Sequence, residues 1–194
     1  MNILSIDVGI KNLSYCLFQI VTDCDSSSSS STNNIVILKW GVINLCDIKT
    51  KANSMSLVEL GINMKTEFDI FDDIKIQKII IENQIGPLAG RMKSLQGMIT
   101  QYFIMKNVID IEFISASNKL KLFSSNNTAK LCYYERKKKG MCVCKQIINI
   151  AFADWIVEYE KHKKKDDLAD CFLQGIYYIH IKKLYLFTFF SKII

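Results

Sequence analysis

Carboxylates carry the chemistry this sequence offers, and their settings indicate which chemistry. Asp7 follows the apolar run Ile3 to Ile6 and precedes Val8-Gly9-Ile10-Lys11-Asn12. Glu82 follows Lys78-Ile79-Ile80-Ile81. Asp167 and Asp170 stand three apart in Lys165-Asp166-Asp167-Leu168-Ala169-Asp170. A carboxylate inside apolar chain is unfavourable to bury unless a cation or a proton neutralises it. Each residue also has a plain alternative: Asp7 can cap its own turn, and Glu82 can be an ordinary loop residue. On a helix advancing about 100° per residue, Asp167, Asp170 and Gln174 share one face, where two like charges repel. A cation between them removes that repulsion. If all four carboxylates meet in one pocket they call for cations, and oxygen-only ligands suit Mg²⁺. Two such ions about 3.5–4 Å apart can clamp a phosphate for in-line attack by water.

The elements needed to gather these residues can be read along the chain. Ile3 to Val8 predicts a short buried strand, Gly9 a turn, and Leu13 to Ile20 a returning strand. A serine-rich loop at 22–34 separates it from a third strand, Ile35 to Ile43, completing an antiparallel meander. Leu57, Leu60, Met64, Phe68 and Phe71 mark an amphipathic helix. Lys78 to Glu82, with three consecutive isoleucines, predicts a strand buried on both faces. The intervening helix makes this strand parallel to the first, with Glu82 at its carboxyl end, where open α/β sheets place their sites. A second helix follows, with Met92, Leu95, Met98, Ile99, Tyr102 and Phe103 as its stripe. The fifth strand is Ile109 to Ser115, and Ser117 is placed to cap a short helix over 118–123. Gly140 is expected to end the basic segment that precedes it, and Val143 to Tyr159 to form one long helix. The final helix aims its first turn at Asp7 and Glu82. The architecture predicted is α/β, with antiparallel strands one to three, parallel strands four and five, and flanking helices. Residues 1–194 form one domain.

The chain carries a formal charge of +6, which favours a polyanionic partner. Its only arginines are Arg91 and Arg136. Lys130, Arg136, Lys137, Lys138 and Lys139 lie beside Tyr133 and Tyr134, a pattern that serves either as a solvated face or as a grip on a nucleic-acid backbone. Seven cysteines without a C-x-x-C pair, and only two histidines, argue against zinc. Free thiols fit a reducing, cytoplasmic setting. The first apolar run is too short for a secretory signal, and lysines break the apolar stretch after Ile176, so no membrane span is expected.

Taken in order, these stretches resemble the RuvC-like Holliday junction resolvases, especially the branch of poxviruses and other large cytoplasmic DNA viruses. The matching residues are Ser5 to Asn12, Ile80-Ile81-Glu82-Asn83-Gln84, Arg91 to Met98, Asn118-Lys119-Leu120-Lys121 and Lys164 to Asp170. The resemblance implies an RNase H-like fold and a homodimer that nicks two strands of a four-way DNA junction using Mg²⁺, with Mn²⁺ as a substitute. If viral, the protein would work in the host-cell cytoplasm or at a replication site. By position, Asp7, Glu82, Asp167 and Asp170 would hold the metals. Lys121 looks like the family's lysine after the fifth strand, with Lys119 as its rival. Ser115-Ala116-Ser117 stands where bacterial members commonly have a proline. Lys11, Arg91, Lys93 and Lys119, together with the basic segment, are expected to meet DNA.

Other readings stay open. Sugar kinases and actin-like ATPases also begin with a strand-borne Asp-x-Gly, but they need a second glycine-rich phosphate loop, and no glycine lies between Gly97 and Gly140. A non-catalytic DNA-binding module has no use for gathered carboxylates, which repel phosphate. An RNase H-like nuclease acting on duplex or hybrid substrates is the remaining alternative.

Overall fold

The computed structural model describes residues 1–22, 33–47, 51, 54–85, 90–123 and 132–187. The serine tract, Pro87, Lys130 and the closing residues 188–194 lie outside them. Ile3, Leu4 and Ile6 are fully buried, as befits a strand with neighbours on both edges and helices over both faces. This strand, β1 (Asn2–Asp7), pairs antiparallel with β2 (Leu13–Thr22), which pairs antiparallel with β3 (Asn33–Ile43). On its other edge β1 runs parallel to β4 (Lys78–Glu82), and β4 parallel to β5 (Ile111–Ile114). The five-stranded order is β3-β2-β1-β4-β5, the mixed sheet that the sequence predicts.

Side-chain alternation splits the core into two layers. Leu4, Ile6, Leu17, Ile79 and Ile81 pack with α1 (Leu57–Phe68) and α2 (Gly90–Met105). Ile3, Cys16, Phe18 and Ile80 face the opposite way, towards α3 (Tyr133–Ala151) and α5 (Lys165–Ile181). In α5, Leu168, Cys171, Phe172, Leu173, Ile176 and Ile179 are all buried. Burying each large apolar side chain contributes roughly 1.5–3 kcal/mol. That is enough to offset the several kcal/mol lost by partly desolvating each aspartate on the same helix.

Two expectations for the later helices are overturned. Gly140 does not end the basic segment, because α3 runs through it and takes the segment into its first turns. Gly140 is buried, and a Cβ there would meet the Leu173 side chain at 3.8 Å. The long helix over 143–159 is broken at Phe152, which has φ −140° and ψ 45°. A 3₁₀ turn (Ala153–Trp155) and α4 (Ile156–Lys161) follow. Aromatic packing accounts for the break: Tyr159 stacks on Trp40 at 5.5 Å, and the Phe152 ring meets Phe172 edge-on at 5.6 Å.

Candidate active site

Pleat parity brings the first two carboxylates together. Ser5 pairs with Ile80 and Ile6 with Ile81, so one further step sets Asp7 beside Glu82 on the face that α5 covers. Gly9 makes the turn after Asp7 possible, since a Cβ there would lie 2.4 Å from the Asn12 carbonyl oxygen. The third group arrives from beyond β5. Ser115 Oγ accepts the Ser117 N–H and shapes a 3₁₀ turn over Ala116–Asn118. Lys119, the residue that closes this turn, points inward. Its ammonium is hydrogen-bonded to Glu82 Oε2 and lies 3.4 Å from Asp7 Oδ1 and 3.5 Å from Asp170 Oδ2.

Specific polar contacts hold α5 over this cluster. Ser5 Oγ donates to the Cys171 carbonyl at 2.7 Å, Ser14 Oγ to the Asp167 carbonyl at 2.6 Å, and Trp40 Nε1 to the Leu168 carbonyl at 3.1 Å. From the helix side, Gln174 Nε2 donates to Ser5 Oγ, the Ile6 carbonyl and the Ile80 carbonyl at 3.1–3.4 Å. Gly175 allows the close approach, because a Cβ there would fall 2.2 Å from the Phe18 ring. Asp167 and Asp170 are thereby fixed relative to β1 and β4. A second lysine reaches them from α3: Lys137 Nζ lies 2.7 Å from Asp166 Oδ2, 3.5 Å from Asp167 Oδ1 and 4.0 Å from Asp170 Oδ2.

The electrostatics follow from burial. Burial pushes the Asp7 carboxyl up to about 7; Lys119 opposes this, and the adjacent Glu82 adds to it. Burial would raise Glu82 too, but its hydrogen bond with Asp7 and the charge of Lys119 outweigh that and hold it low. Burial raises Asp167 and Asp170, with Asp166 pressing on the former and Lys119 restraining the latter. Burial works against the charge on Lys119, yet Asp7, Asp170 and Glu82 together raise it and keep the ammonium charged.

The structure sets Asp7, Glu82 and Asp170 around the Lys119 ammonium, and Asp167 and Asp170 within 4.0 Å of Lys137. Lys119 stands among the carboxylates and Lys121 does not. The expected short helix over 118–123 is two 3₁₀ turns. The second of them buries Phe123 and leaves Lys121 exposed. Among the expected DNA contacts, Lys93, Arg136 and Lys138 are exposed, while Lys11 and Lys139 are half-buried. Arg91 instead donates to the Met55 carbonyl at 2.6 Å, tying α2 to the segment before α1. Lys137 is engaged with the aspartates. Sequence reasoning missed the docking set of Ser5, Ser14 and Trp40, since single hydroxyls and an indole carry no spacing signal. It also missed the partner of Asp166, because the Lys137–Asp166 contact spans two helices.

Among the described residues, no three Asp, Glu, His or Cys side chains are gathered to hold a metal ion as they stand. Lys119 occupies the middle of the group. The donor set nevertheless fits a hard divalent cation: every candidate ligand is a carboxylate oxygen, and Asp167 Oδ2 is buried without a hydrogen-bond partner.

A mixed sheet in this order, with helices on both faces, is an RNase H-like fold. The chain belongs to the family described as mitochondrial resolvase Ydc2 / RNA splicing MRS1, whose catalytic-domain model matches residues 3–134. That segment includes Asp7, Glu82 and Lys119; Asp167 and Asp170 lie beyond it. The fold is shared with the fowlpox virus resolvase solved with substrate Holliday junction DNA (TM-score 0.61, 19% identity, 94% of this chain and 99% of that one). It is also shared with the yeast mitochondrial Holliday junction resolvase Ydc2 (0.58, 21%, 95% and 86%) and with Thermus thermophilus RuvC (0.58, 12%, 94% and 97%). An uncharacterized Acanthamoeba polyphaga mimivirus protein, L451, is 30% identical over 128 residues, covering 56% of this chain. The match spans only 30% of that relative's length.

Proposed function

We propose that this protein is a structure-specific endonuclease that resolves four-way DNA junctions by paired, divalent-metal-dependent nicking. The observation that carries the reading is the convergence of Asp7, Glu82, Asp167 and Asp170 at the carboxyl end of β1 and β4, despite the electrostatic penalty of placing them there. The family description also names an RNA-splicing protein. A site that only binds nucleic acid gains nothing from buried carboxylates, which repel phosphate, and this favours the nuclease. The four carboxylates would hold the divalent ions, Mg²⁺ with Mn²⁺ as a substitute. When bound, such ions supply Lewis acidity for phosphodiester hydrolysis.

The chain's own residues have separable tasks. Ser5, Ser14, Trp40 and Gln174 set the distance of α5 from the sheet and so the spacing of the carboxylates. Lys119 and Lys137 balance negative charge now, and each carries a cation that can meet the phosphate when DNA enters. Exposed Lys93, Arg136 and Lys138 supply sequence-independent contacts to the backbone. Symmetric nicking of two strands calls for two sites, so the working form is a homodimer. The cysteines among the described residues are free, and no described helix is long and apolar enough to cross a membrane. We place the activity in a reducing compartment, the host-cell cytoplasm if the source is viral.

The test offers purified protein a four-way junction, a linear duplex and an RNA–DNA hybrid, each with Mg²⁺ and with EDTA. Paired nicks confined to the junction with Mg²⁺ are expected. Equal cutting of the duplex, or full activity in EDTA, contradicts the reading.

A further inference from the structure

Beside the carboxylates lies a groove for which the hydrolytic site has no use. Its walls are the first turns of α3 and the α4–α5 connection, and it encloses about 630 Å³. Tyr133 and Tyr134 stand on one side, 68% and 74% exposed. Lys161, Lys163 and Lys165 stand on the other. Lys137 and Asp166 also line the groove. The same Lys137 ammonium that lies against Asp166, Asp167 and Asp170 sits 5.8 Å from the Tyr133 ring centre. Groove and site therefore share a wall.

The acidic members of the lining already have cationic partners. Glu160 is paired with Lys145 at 2.6 Å and Lys165 at 3.2 Å, and Asp166 with Lys137 at 2.7 Å. The lysine-bearing turn is held in shape, because His162 Nδ1 accepts the Lys164 N–H at 3.0 Å. Two exposed aromatic faces opposite clustered ammonium groups match a nucleotide: a flat base on one side and phosphate on the other. The volume falls within the range of roughly 300–1,000 Å³ usual for small-ligand sites. In an intact duplex both faces of each base are covered, so only an unstacked base can meet these rings. A branch point interrupts stacking and supplies such a base at the least energetic expense.

We propose that this groove binds an unstacked nucleotide of the DNA strand leading from the scissile phosphate. The base lies on the Tyr133 and Tyr134 rings and the phosphates lie against Lys161 and Lys163. The proposal rests on the reading of the site as a DNA nuclease, and its test separates the two. Full-length protein in EDTA is titrated with a fluorescein-labelled short oligo-dT, the matching oligo-rU and a blunt duplex. Tyr133→Ala with Tyr134→Ala is expected to weaken oligo-dT binding by about 5- to 100-fold and leave duplex binding nearly unchanged. The Tyr→Phe pair restores binding, since phenylalanine presents the same face. Lys161→Gln with Lys163→Gln lowers the steepness of the salt dependence by about 1.4 in the log–log slope. Iodouracil placed beside the scissile phosphate of a junction should crosslink to Tyr133 or Tyr134. Unchanged oligo-dT binding by the alanine pair, or crosslinks that fall elsewhere, overturns the groove even if junctions are cut normally. Tyrosine-dependent oligo-dT binding by a protein that cuts no junction keeps the groove and removes the nuclease reading. Tighter binding of oligo-rU than of oligo-dT overturns the assignment to DNA.

Discussion

Removing the Lys119 ammonium leaves Asp7, Glu82 and Asp170 facing one another with their nearest counter-charge gone. Lys119→Ala is expected to lower metal-free stability by about 3–5 kcal/mol and to slow junction cleavage by about 100-fold or more. Lys121→Ala changes both far less, and urea melts with nicking time courses on the two variants check the ranking. The raised Asp7 makes stability depend on pH. Between the ordinary carboxyl value of 3.8 and the native value of about 7, the folded state holds a proton that the unfolded state has released. Stability therefore falls as pH rises through that window. The raised Asp167 and Asp170 act in the same direction, and the lowered Glu82 against it. In EDTA the urea midpoint at pH 5 should exceed that at pH 7.5, and Asp7→Asn should flatten most of the difference; an equal or higher midpoint at pH 7.5 is the contrary result. The register of the late aspartates can also be tested. Asp166 lies in the first turn of α5, one residue past Lys165, and is paired with Lys137. Asp166→Asn should keep most cleavage, whereas Asp167→Asn and Asp170→Asn each remove nearly all of it, with melting curves showing all three folded.

The geometry of α5 depends on how closely it lies on β2. A methyl group at Gly175 would meet the Phe18 ring at 2.2 Å, so Gly175→Ala must shift the helix or the ring. A loss of about 1–3 kcal/mol is expected, together with slower cleavage, and Phe18→Leu in the same chain should recover part of both. Thermal melts and nicking assays on the single and double variants decide it. What sequence could reveal divides along similar lines. The strand Lys78 to Glu82 was legible to the residue, because three consecutive isoleucines between polar ends leave little other choice. The parallel pairing of β4 with β1 followed from the helical stripe between them. The course of α3 was not legible. A single glycine weakens a helix by only about 1 kcal/mol, and burial of Val143, Cys144, Ile147 and Ile148 on the same helix outweighs that. Nor was the break at Phe152 visible, since the apolar periodicity continues across it while Trp40, distant in sequence, determines the turn. Lys121 was placed by resemblance alone, and no spacing in the sequence shows that the 3₁₀ turn over Ala116–Asn118 directs Lys119 to Glu82 instead.

Taken whole, the molecule carries a net charge of +6 while setting Asp7, Glu82 and Asp170 around one buried lysine at the carboxyl end of β1 and β4. On the proposed reading, exposed basic residues elsewhere would attract DNA and the acidic pocket would repel it until cations enter. Binding should therefore weaken steeply with salt, and neutralising a site carboxylate should not weaken it. The most direct measurement compares wild-type protein with Asp7→Asn on one labelled four-way junction, scoring binding in EDTA and nicking after Mg²⁺ is added. The predicted result is paired nicks by the wild type only with Mg²⁺, and none by Asp7→Asn, which binds the junction at least as tightly. Cleavage by Asp7→Asn at the wild-type rate, or failure of the wild-type protein to nick the junction with Mg²⁺ present, would contradict the account.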